Sequence, residues 1–288
     1  MGWAWFYLTT CVIIWGWTFV FTKVGLQYVS PVELLGLRFA VGVPTLLVIA
    51  FFKRLRFDFG PKEKRSVMLG SAVITVHFLI QGIGLKHTSA TNTGWIIAVT
   101  PLVMAAMAFV LLRERLSRRA LVGIGVATVG ISLLMSKGQF GNLGWLSSVG
   151  DWLILASAHT WALYTVVVRD VTRARDPIAV TFAVLLPSAG VFLGYMAFTS
   201  HWADFLQIPL DGVLAILFLG LLGLALAHWF WQEGVARLGA AKAGIFLYLE
   251  PLATTALAVP YLGEEFGVFT AWGGLLVLAG VYLAQRKS

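Results

Sequence analysis

Two stretches of the chain that repeat each other decide the fold: residues 94–114, GWIIAVTPLVMAAMAFVLLRE, and residues 244–264, GIFLYLEPLATTALAVPYLGE. Each stretch has a proline inside an apolar segment and ends on a glutamate. When 84–135 is aligned with 234–285 without gaps, 12 of 52 positions are identical. Apolar composition alone gives some matches, but it does not align a proline, a glutamate and four glycines in one register. The alignment therefore predicts an internal repeat.

The composition is that of a membrane protein. Of the 288 residues, 59% are hydrophobic and only 12% are charged, with a mean hydropathy of +0.86. Soluble domains carry about 25% charged residues, and a helix that crosses a bilayer needs about 20 mostly apolar residues. The chain is predicted to be an all-α integral membrane protein with ten transmembrane helices. The predicted spans are 3–22, 32–52, 67–85, 94–112, 120–136, 151–168, 178–199, 212–231, 244–262 and 267–284.

The repeat divides these ten helices into two sets of five. We expect a first repeat over 1–136 and a second over 137–288. Because five is an odd number, the second repeat enters the membrane from the opposite side and is inverted. Inverted repeats recur in secondary transporters, where the substrate site lies near the membrane midplane between the repeats. The organisation of the sequence thus favours a transporter that works by alternating access.

The distribution of the net charge of +8 predicts the orientation of the chain. With the N-terminus in the cytoplasm, 17 basic residues fall on the cytoplasmic side and three, Lys23, Lys86 and Lys137, fall on the other. This bias is the positive-inside pattern. It predicts a multi-pass protein of the cell (inner) membrane with both termini in the cytoplasm and membrane lipids as neighbours. It also explains the high pI without a nucleic-acid partner. The 17 are Lys53, Arg54, Arg56, Lys62, Lys64, Arg65, Arg113, Arg115, Arg118, Arg119, Arg169, Arg173, Arg175, Arg237, Lys242, Arg286 and Lys287.

A set of short motifs connects the chain to a known family. In chain order they are Trp15-Gly16, Lys23, Pro31, Arg38, Pro101 to Glu114, and Pro251 to Glu264. With these motifs the chain resembles, over its whole length, the EamA-type ten-helix exporters of the drug/metabolite transporter superfamily. The resemblance implies export of amino acids, including aromatic ones, of other metabolites or of drugs. The second half departs from the pattern, because its second helix has no counterpart of Arg38.

Few polar side chains lie inside the predicted spans, and such residues usually face a cavity or a partner. Glu250 precedes Pro251 and can bind a substrate ammonium or a proton. His77 and Gln81 share one face of the third helix, and His159 lies in the middle of the sixth. Each of these also fits a second interpretation, that of a buried polar residue that links two helices.

Aromatic residues are the second group of candidates for the site. A cavity for an aromatic or bulky solute can be lined by the tryptophans deep in the paired first and sixth helices, Trp15, Trp17 and Trp161, although filling between helices is the alternative. Trp17 and Trp161 occupy similar places in these two helices. Pro101 and Pro251 are expected to break their helices and to act in gating. The predicted substrate-binding residues are His77, Gln81, Trp17, Trp95, His159, Trp161, Tyr164, Tyr248 and Glu250.

Two other polar residues are left out of this set. Arg38 is expected to have a structural role, paired with Glu33 or with a neighbouring helix. His228 is a weaker candidate than His77 and His159, because it lies nearer the cytoplasmic end of its helix. Cys11 is a single cysteine, which excludes an intramolecular disulfide, and the histidines show no metal-ligand spacing. No metal and no cofactor are therefore predicted.

The sequence favours a secondary transporter that exports small metabolites, amino acids first, as a monomer or a weak homo-oligomer, with a proton as a candidate coupling ion. An exporter of drugs or hydrophobic cations is the alternative, because Glu250 among aromatic rings suits a cation. A membrane-embedded lipid enzyme is remote, because no paired acid/base or metal-ligand motif is present. A passive channel lacks its rings of charge, and an ATP-driven pump lacks its phosphate-binding motif.

Overall fold

The computed structural model describes residues 2–112, 118–141, 148–239 and 243–285. It is 86% helical, and no strand occurs in these ranges. The predicted repeat members Glu114 and Ala240 lie outside the described residues. So do five of the basic residues used for the orientation: Arg113, Arg115, Lys242, Arg286 and Lys287.

Twelve α-helices are found in the described part of the chain. They are α1 (Gly2–Gly25), α2 (Pro31–Phe52), α3 (Pro61–His87), α4 (Ala90–Ile97), α5 (Thr100–Leu112), α6 (Arg118–Ser136), α7 (Val149–Ala174), α8 (Pro177–Thr199), α9 (Leu210–Leu217), α10 (Ala227–Leu238), α11 (Glu250–Leu262) and α12 (Val268–Gln285). A π-helical segment, Phe218–Leu226, joins α9 to α10, and a 3₁₀ helix, Ile245–Leu249, precedes α11.

Six helices are long and apolar enough to cross a membrane: α1, α2, α3, α7, α8 and the continuous span Leu210–Leu238. Four shorter apolar helices accompany them, at Ala90–Met104, Val122–Ser136, Phe246–Leu262 and Val268–Gly280. The molecule is therefore a multi-pass membrane protein, as its composition predicts.

Local sequence signals set where the long helices begin. Pro31 and Pro177 open α2 and α8, since proline is tolerated in the first turn of a helix. The residue before each proline caps the helix. Ser30 accepts a hydrogen bond from the backbone N–H of Glu33, and Asp176 accepts one from the N–H of Ile178.

The fourth and ninth predicted spans are both interrupted, and each interruption lies next to a proline. The fourth span consists of α4 and α5, with Pro101 in the first turn of α5. In the ninth span the 3₁₀ helix gives way to α11 at Glu250, directly before Pro251. Proline lacks the N–H that would continue an α-helix, which accounts for both breaks.

The helices pack as a symmetric set of neighbours. α6 packs along α12, α2 along α8, and α4 along α11. α3 packs against α7, and α1 packs in the same way against Leu210–Leu238. α1 contacts α11, and α7 contacts α4 and α5. When each helix of the first predicted repeat is exchanged with its counterpart in the second, the same set of helix contacts results.

Glycines of the aligned repeat lie where α6 meets α12. A Cβ atom on Gly130 would be 2.7 Å from the carbonyl oxygen of Gly273, and one on Gly280 would be 2.5 Å from that of Gly123. The sequence alignment pairs Gly123 with Gly273 and Gly130 with Gly280, so these two contacts are equivalent. This close contact joins the two predicted repeats, because the helices that end them, α6 and α12, lie side by side.

Candidate functional site

A cavity lies in the middle of the bundle, between helices of both predicted repeats. Its walls come from α1, α2, α3, α7 and α10, and from the two interrupted spans. The lining residues are Trp15, Thr18, Phe19, Arg38, His77, Phe78, Gln81, Ile97, Thr100, Trp161, His228, Leu247 and Glu250.

The two interrupted spans contribute to the cavity at equivalent positions. Ile97 and Thr100 line it from the break between α4 and α5, and Leu247 and Glu250 line it from the 3₁₀ helix and the start of α11. In the aligned repeat Ile97 pairs with Leu247, and Thr100 pairs with Glu250. The breaks therefore bring the same two places of the repeat, from both copies, to one site.

One wall of the cavity is an aromatic cluster. The rings of Trp15 and Trp161 meet edge to face, with centroids 4.9 Å apart. His77 lies 5.3 Å from the Trp161 ring, and His228 lies 5.2 Å from the Trp15 ring. Edge-to-face and tilted contacts are the favoured geometries of aromatic rings. The cluster can receive an apolar or aromatic part of a ligand.

Hydrogen bonds to main-chain carbonyls fix the orientation of three of these rings. Trp15 Nε1 donates to the carbonyl oxygen of Gly223 over 3.2 Å, and His228 Nδ1 lies 3.0 Å from the same oxygen. Gly223 belongs to the π-helical segment, and such segments often occur at functional sites. His77 Nδ1 lies 3.0 Å from the carbonyl oxygen of Ser157. Because a carbonyl only accepts, both histidines donate through Nδ1, so Nε2 of a neutral ring is an acceptor.

An arginine and a glutamate side chain line the same cavity. Arg38 is 5% exposed, and its guanidinium lies over the Phe78 ring at 4.8 Å. Its Nε is buried and has no hydrogen-bond partner within the described residues. Glu250 is 4% exposed. Among the described parts of the chain no ion pair joins the two residues. The cavity thus contains one guanidinium and one carboxyl group, in addition to its aromatic wall.

Four of the predicted binding residues line this cavity: His77, Gln81, Trp161 and Glu250. Tyr164 lies behind the wall, where its ring is 5.3 Å from Trp161 and its hydroxyl accepts a hydrogen bond from a buried glutamine.

The structure places the other four predicted residues away from the cavity lining. Trp17 is 38% exposed and faces Phe218. Trp95 is buried between α4 and the last two helices, and its Nε1 donates to Thr255 Oγ1. The other two are His159, which is exposed and bonds back to its own helix, and Tyr248, which is half-buried against the hydrophobic cluster around Trp95.

The structure adds lining residues to the predicted substrate-binding set. Trp15, and not Trp17, is the spatial partner of Trp161. The offset of 146 that aligns Pro31 with Pro177 also aligns Trp15 with Trp161, and this was the available signal. Arg38 and His228 were left out of the predicted set because the sequence does not show that both face the same space. Arg38 has no ion pair with Glu33, whose carboxylate instead accepts from the N–H and hydroxyl groups of two serines.

A second, smaller space of about 320 Å³ adjoins the first and shares Arg38, Phe78 and Gln81 with it. It extends along α1, α2 and α3 towards Thr22 and Leu85, near the end of the bundle at which α1 ends. We call this end the distal face and the end at which α1 begins the N-terminal face. Arg38 and Phe78 therefore stand between the central cavity and the distal face.

Polar contacts tie the helices together at the distal face. Lys23, at the end of α1, donates to the carbonyl oxygens of Leu85 and Thr88 over 3.1 and 2.9 Å. Asp151, at the start of α7, accepts from the hydroxyl of Thr88. Glu264, from the turn between α11 and α12, accepts from the N–H groups of Ala90 and Thr91, each over 2.8 Å. Contacts from α1, from α7 and from the turn between α11 and α12 thus hold residues 88–89, the turn between α3 and α4, together with the adjoining helix ends.

The fold and the site describe a helical membrane protein with a central binding cavity, and comparison with known proteins gives its family. The model of the EamA-like transporter family matches residues 2–136 and again residues 148–285. The chain belongs to this family. It is a membrane transporter protein by family, and the family model matches it twice.

Relatives with similar sequences are named as transporters. An uncharacterized transporter of Archaeoglobus fulgidus is 29% identical over 97% of this chain and 96% of its own. A probable amino-acid metabolite efflux pump of Salmonella typhimurium is 27% identical, over 94% of this chain and 91% of its own. A probable terminal-alkyne amino-acid exporter of Streptantibioticus cattleyicolor is 25% identical, over 98% of this chain and 93% of its own.

A protein of known crystal structure has the same fold. It superposes with a TM-score of 0.71 over 98% of this chain and 96% of its own, at 20% sequence identity. The arrangement of helices is therefore shared well beyond the range of clear sequence similarity.

Proposed function

We propose that this chain is a secondary transporter that exports small metabolites, amino acids first, by alternating access at the central cavity. The observation that carries the proposal is the position of the cavity at the contact between two halves of equivalent packing. A site between two such halves opens to one side or the other when they exchange conformations. Two relatives named as amino-acid exporters support the choice of substrate class.

The two halves are proposed to be inverted five-helix repeats, 1–136 and 137–288, which together cross the membrane ten times. Support comes from the neighbour set described above and from the paired glycines where α6 meets α12. The six long helices and four shorter apolar helices would supply the ten spans. By the distribution of basic residues, the N-terminal face would be cytoplasmic and the distal face external, in the inner membrane.

In this account His77, Gln81, Trp161 and Glu250 contact the substrate together with Trp15. The breaks at Pro101 and Pro251 would act as hinges, because each brings a pair of equivalent lining residues to the cavity. Tyr164 would support Trp161 from behind. Trp17, Trp95, His159 and Tyr248 would have no direct contact with the substrate in the conformation described.

Uptake into proteoliposomes tests this function. Labelled phenylalanine, tryptophan, threonine and a lipophilic cation would be compared, with and without a pH gradient. The expected result is saturable uptake of the amino acids that falls in Trp161→Ala and His77→Ala but persists in His159→Ala, the matched control outside the cavity. An effect of the pH gradient would make the proton the coupling ion. Absence of saturable amino-acid uptake would refute the proposed substrate class.

A second candidate, export of drugs or hydrophobic cations, is favoured by one observation: the buried carboxylate of Glu250 lies in the same cavity as the rings of Trp15 and Trp161. Carboxylates and aromatic faces both attract cations. The same experiment separates the two functions, because uptake of the cation without uptake of amino acids would support the second.

A further inference from the structure

We propose that the cavity selects solutes that carry both a carboxylate and an ammonium group, with Arg38 as the ligand of the carboxylate and Glu250 as the ligand of the ammonium. This inference rests on the proposed function and deepens it, because it assigns the recognition of a zwitterion to two residues. It is carried by the burial of both side chains, by the absence of an ion-pair partner for either among the described residues, and by their position in one cavity.

The surroundings of Arg38 are those of a residue that binds an anionic ligand. It is 5% exposed, yet its Nε has no hydrogen-bond partner among the described residues. The three ion pairs found there are Arg169–Asp170, Arg175–Glu63 and Arg237–Glu233, so Arg38 takes part in none. An arginine remains charged in proteins, and a buried charge without a partner is costly. A ligand carboxylate would supply the missing acceptors in the planar, two-bond geometry that guanidinium favours.

Phe78 holds the guanidinium of Arg38 in place for this role. The ring lies 4.8 Å from the guanidinium carbon, and both residues line the central cavity. A cation over an aromatic face is stabilised without any hydrogen bond being used. The hydrogen-bonding groups of Arg38 thus stay free for a ligand.

Glu250 is the corresponding anionic group. It is 4% exposed and lies at the first position of α11. Its main-chain carbonyl accepts a hydrogen bond from Thr254 over 2.9 Å, but no hydrogen bond or ion pair reaches its carboxylate from the described residues. An ammonium group has three donors and pairs well with such an acceptor.

The two charges break the symmetry of the repeat in opposite ways. Thr100 occupies the place of Glu250 in the other half, and Val184 occupies the place of Arg38 when Pro31 is aligned with Pro177. Each half therefore contributes one charge that its counterpart lacks. A ligand with a single charge would satisfy one half only, whereas a zwitterion contacts both. The aromatic wall formed by Trp15 and Trp161 then receives the side chain of the ligand.

The test is competition against exchange of labelled phenylalanine in proteoliposomes, with three competitors of the same ring. Phenylalanine carries both charges, phenylalaninamide keeps only the cation, and 3-phenylpropanoate keeps only the anion. With the wild-type protein we expect each singly charged analogue to compete about 10- to 100-fold more weakly than phenylalanine, the range for one lost hydrogen bond to a charged group. This comparison needs no variant and stands even where a substitution impairs folding.

The variants assign the two roles by a crossed pattern. Arg38→Met is expected to weaken phenylalanine about 10- to 100-fold and to leave phenylalaninamide unchanged, and Glu250→Gln should do the same while leaving 3-phenylpropanoate unchanged. Arg38→Lys should recover part of the preference for a carboxylate. The matched controls are Arg169→Met and Asp170→Asn, which make the same changes of charge in an exposed pair and should alter none of the three affinities.

The outcomes separate this inference from the proposed function. Exchange of phenylalanine with equal competition by all three compounds would overturn the recognition of a zwitterion and leave amino-acid transport standing. So would variants that weaken all three compounds in parallel, since this is the effect of a purely structural role. Failure of the wild-type protein to exchange any amino acid would overturn both.

Discussion

Replacement of Trp161 by alanine should weaken the transport of aromatic solutes far more than that of small ones. The Trp161 ring lines the cavity and meets Trp15 at 4.9 Å, His77 at 5.3 Å and His228 at 5.8 Å. It is therefore at the centre of the aromatic wall. One favourable ring–ring contact contributes about 0.5–1.5 kcal/mol beyond the area that it buries. Loss of this contact corresponds to a ~2- to 13-fold higher KM for phenylalanine.

Threonine has no ring to place against this wall, so its KM should change much less. The assay is saturable uptake of labelled phenylalanine and of labelled threonine by the same batch of proteoliposomes. Trp161→Phe keeps a ring in the wall and should retain most of the affinity for phenylalanine. Trp17→Ala is the matched control, because this tryptophan is partly exposed and lies outside the cavity lining.

The substitution also removes packing, since Trp161 is only 7% exposed and is supported by Tyr164. The thermal stability of each variant in detergent must therefore be measured beside its transport. A general loss of folded protein lowers the maximal rate for both solutes equally and leaves the ratio of their KM values unchanged. The reasoning is refuted if phenylalanine and threonine lose affinity to the same extent, or if Trp17→Ala gives the same shift as Trp161→Ala.

Two further predictions concern the contacts that hold the helices together. Gly130→Val should destabilise the protein by about 1–3 kcal/mol, because a Cβ atom at this position would lie 2.7 Å from a carbonyl oxygen of α12. Gly125→Val is the control and should be nearly neutral in thermal unfolding, because a Cβ atom there meets nothing within 4 Å. Equal destabilisation by the two variants would contradict the packing described. Glu264→Ala removes the two hydrogen bonds to the start of α4, which as a helix cap are worth about 0.5–2 kcal/mol. Deuterium uptake over residues 90–94 should therefore be about 2- to 30-fold faster than in the wild-type protein. Glu265→Ala should leave this uptake unchanged, and an unchanged rate in the first variant would show that the contact does not hold the helix end.

Much of the fold could be predicted from the sequence because membrane helices are signalled by composition over long windows. The helix starts at Pro31 and Pro177 and the breaks beside Pro101 and Pro251 follow from the chemistry of proline. Glycines also suit a close approach between helices. The partners of the aligned glycines could not be predicted, since a contact between α6 and α12 depends on how the two predicted repeats meet and not on either helix alone.

The site was harder to predict because small differences in helical position decide which side chains face the cavity. Residues two apart lie about 200° apart around a helix, so neighbours at this spacing cannot share a face. Trp15 and Trp17 form such a pair, and so do His159 and Trp161. In each pair one residue lines the cavity and the other does not.

Arg38 and His228 show a second limit of sequence reasoning. His228 follows a π-helical segment whose main-chain carbonyl at Gly223 binds the rings of both Trp15 and His228. The local sequence does not predict this π-helical segment, which packs against α2. Arg38 faces the cavity without an ion pair to any described acidic residue, and only the arrangement of the helices reveals this.

An alternating-access site exchanges amino acids across the membrane, and counterflow measures this exchange. Proteoliposomes loaded with unlabelled phenylalanine are diluted into a trace of the labelled compound. If the cavity is such a site, label accumulates transiently above its equilibrium level, and this overshoot is absent from liposomes without protein and reduced in Trp161→Ala. Simple equilibration of the label, with no overshoot and no stimulation by the internal amino acid, would indicate a passive pore and would refute alternating access at the cavity.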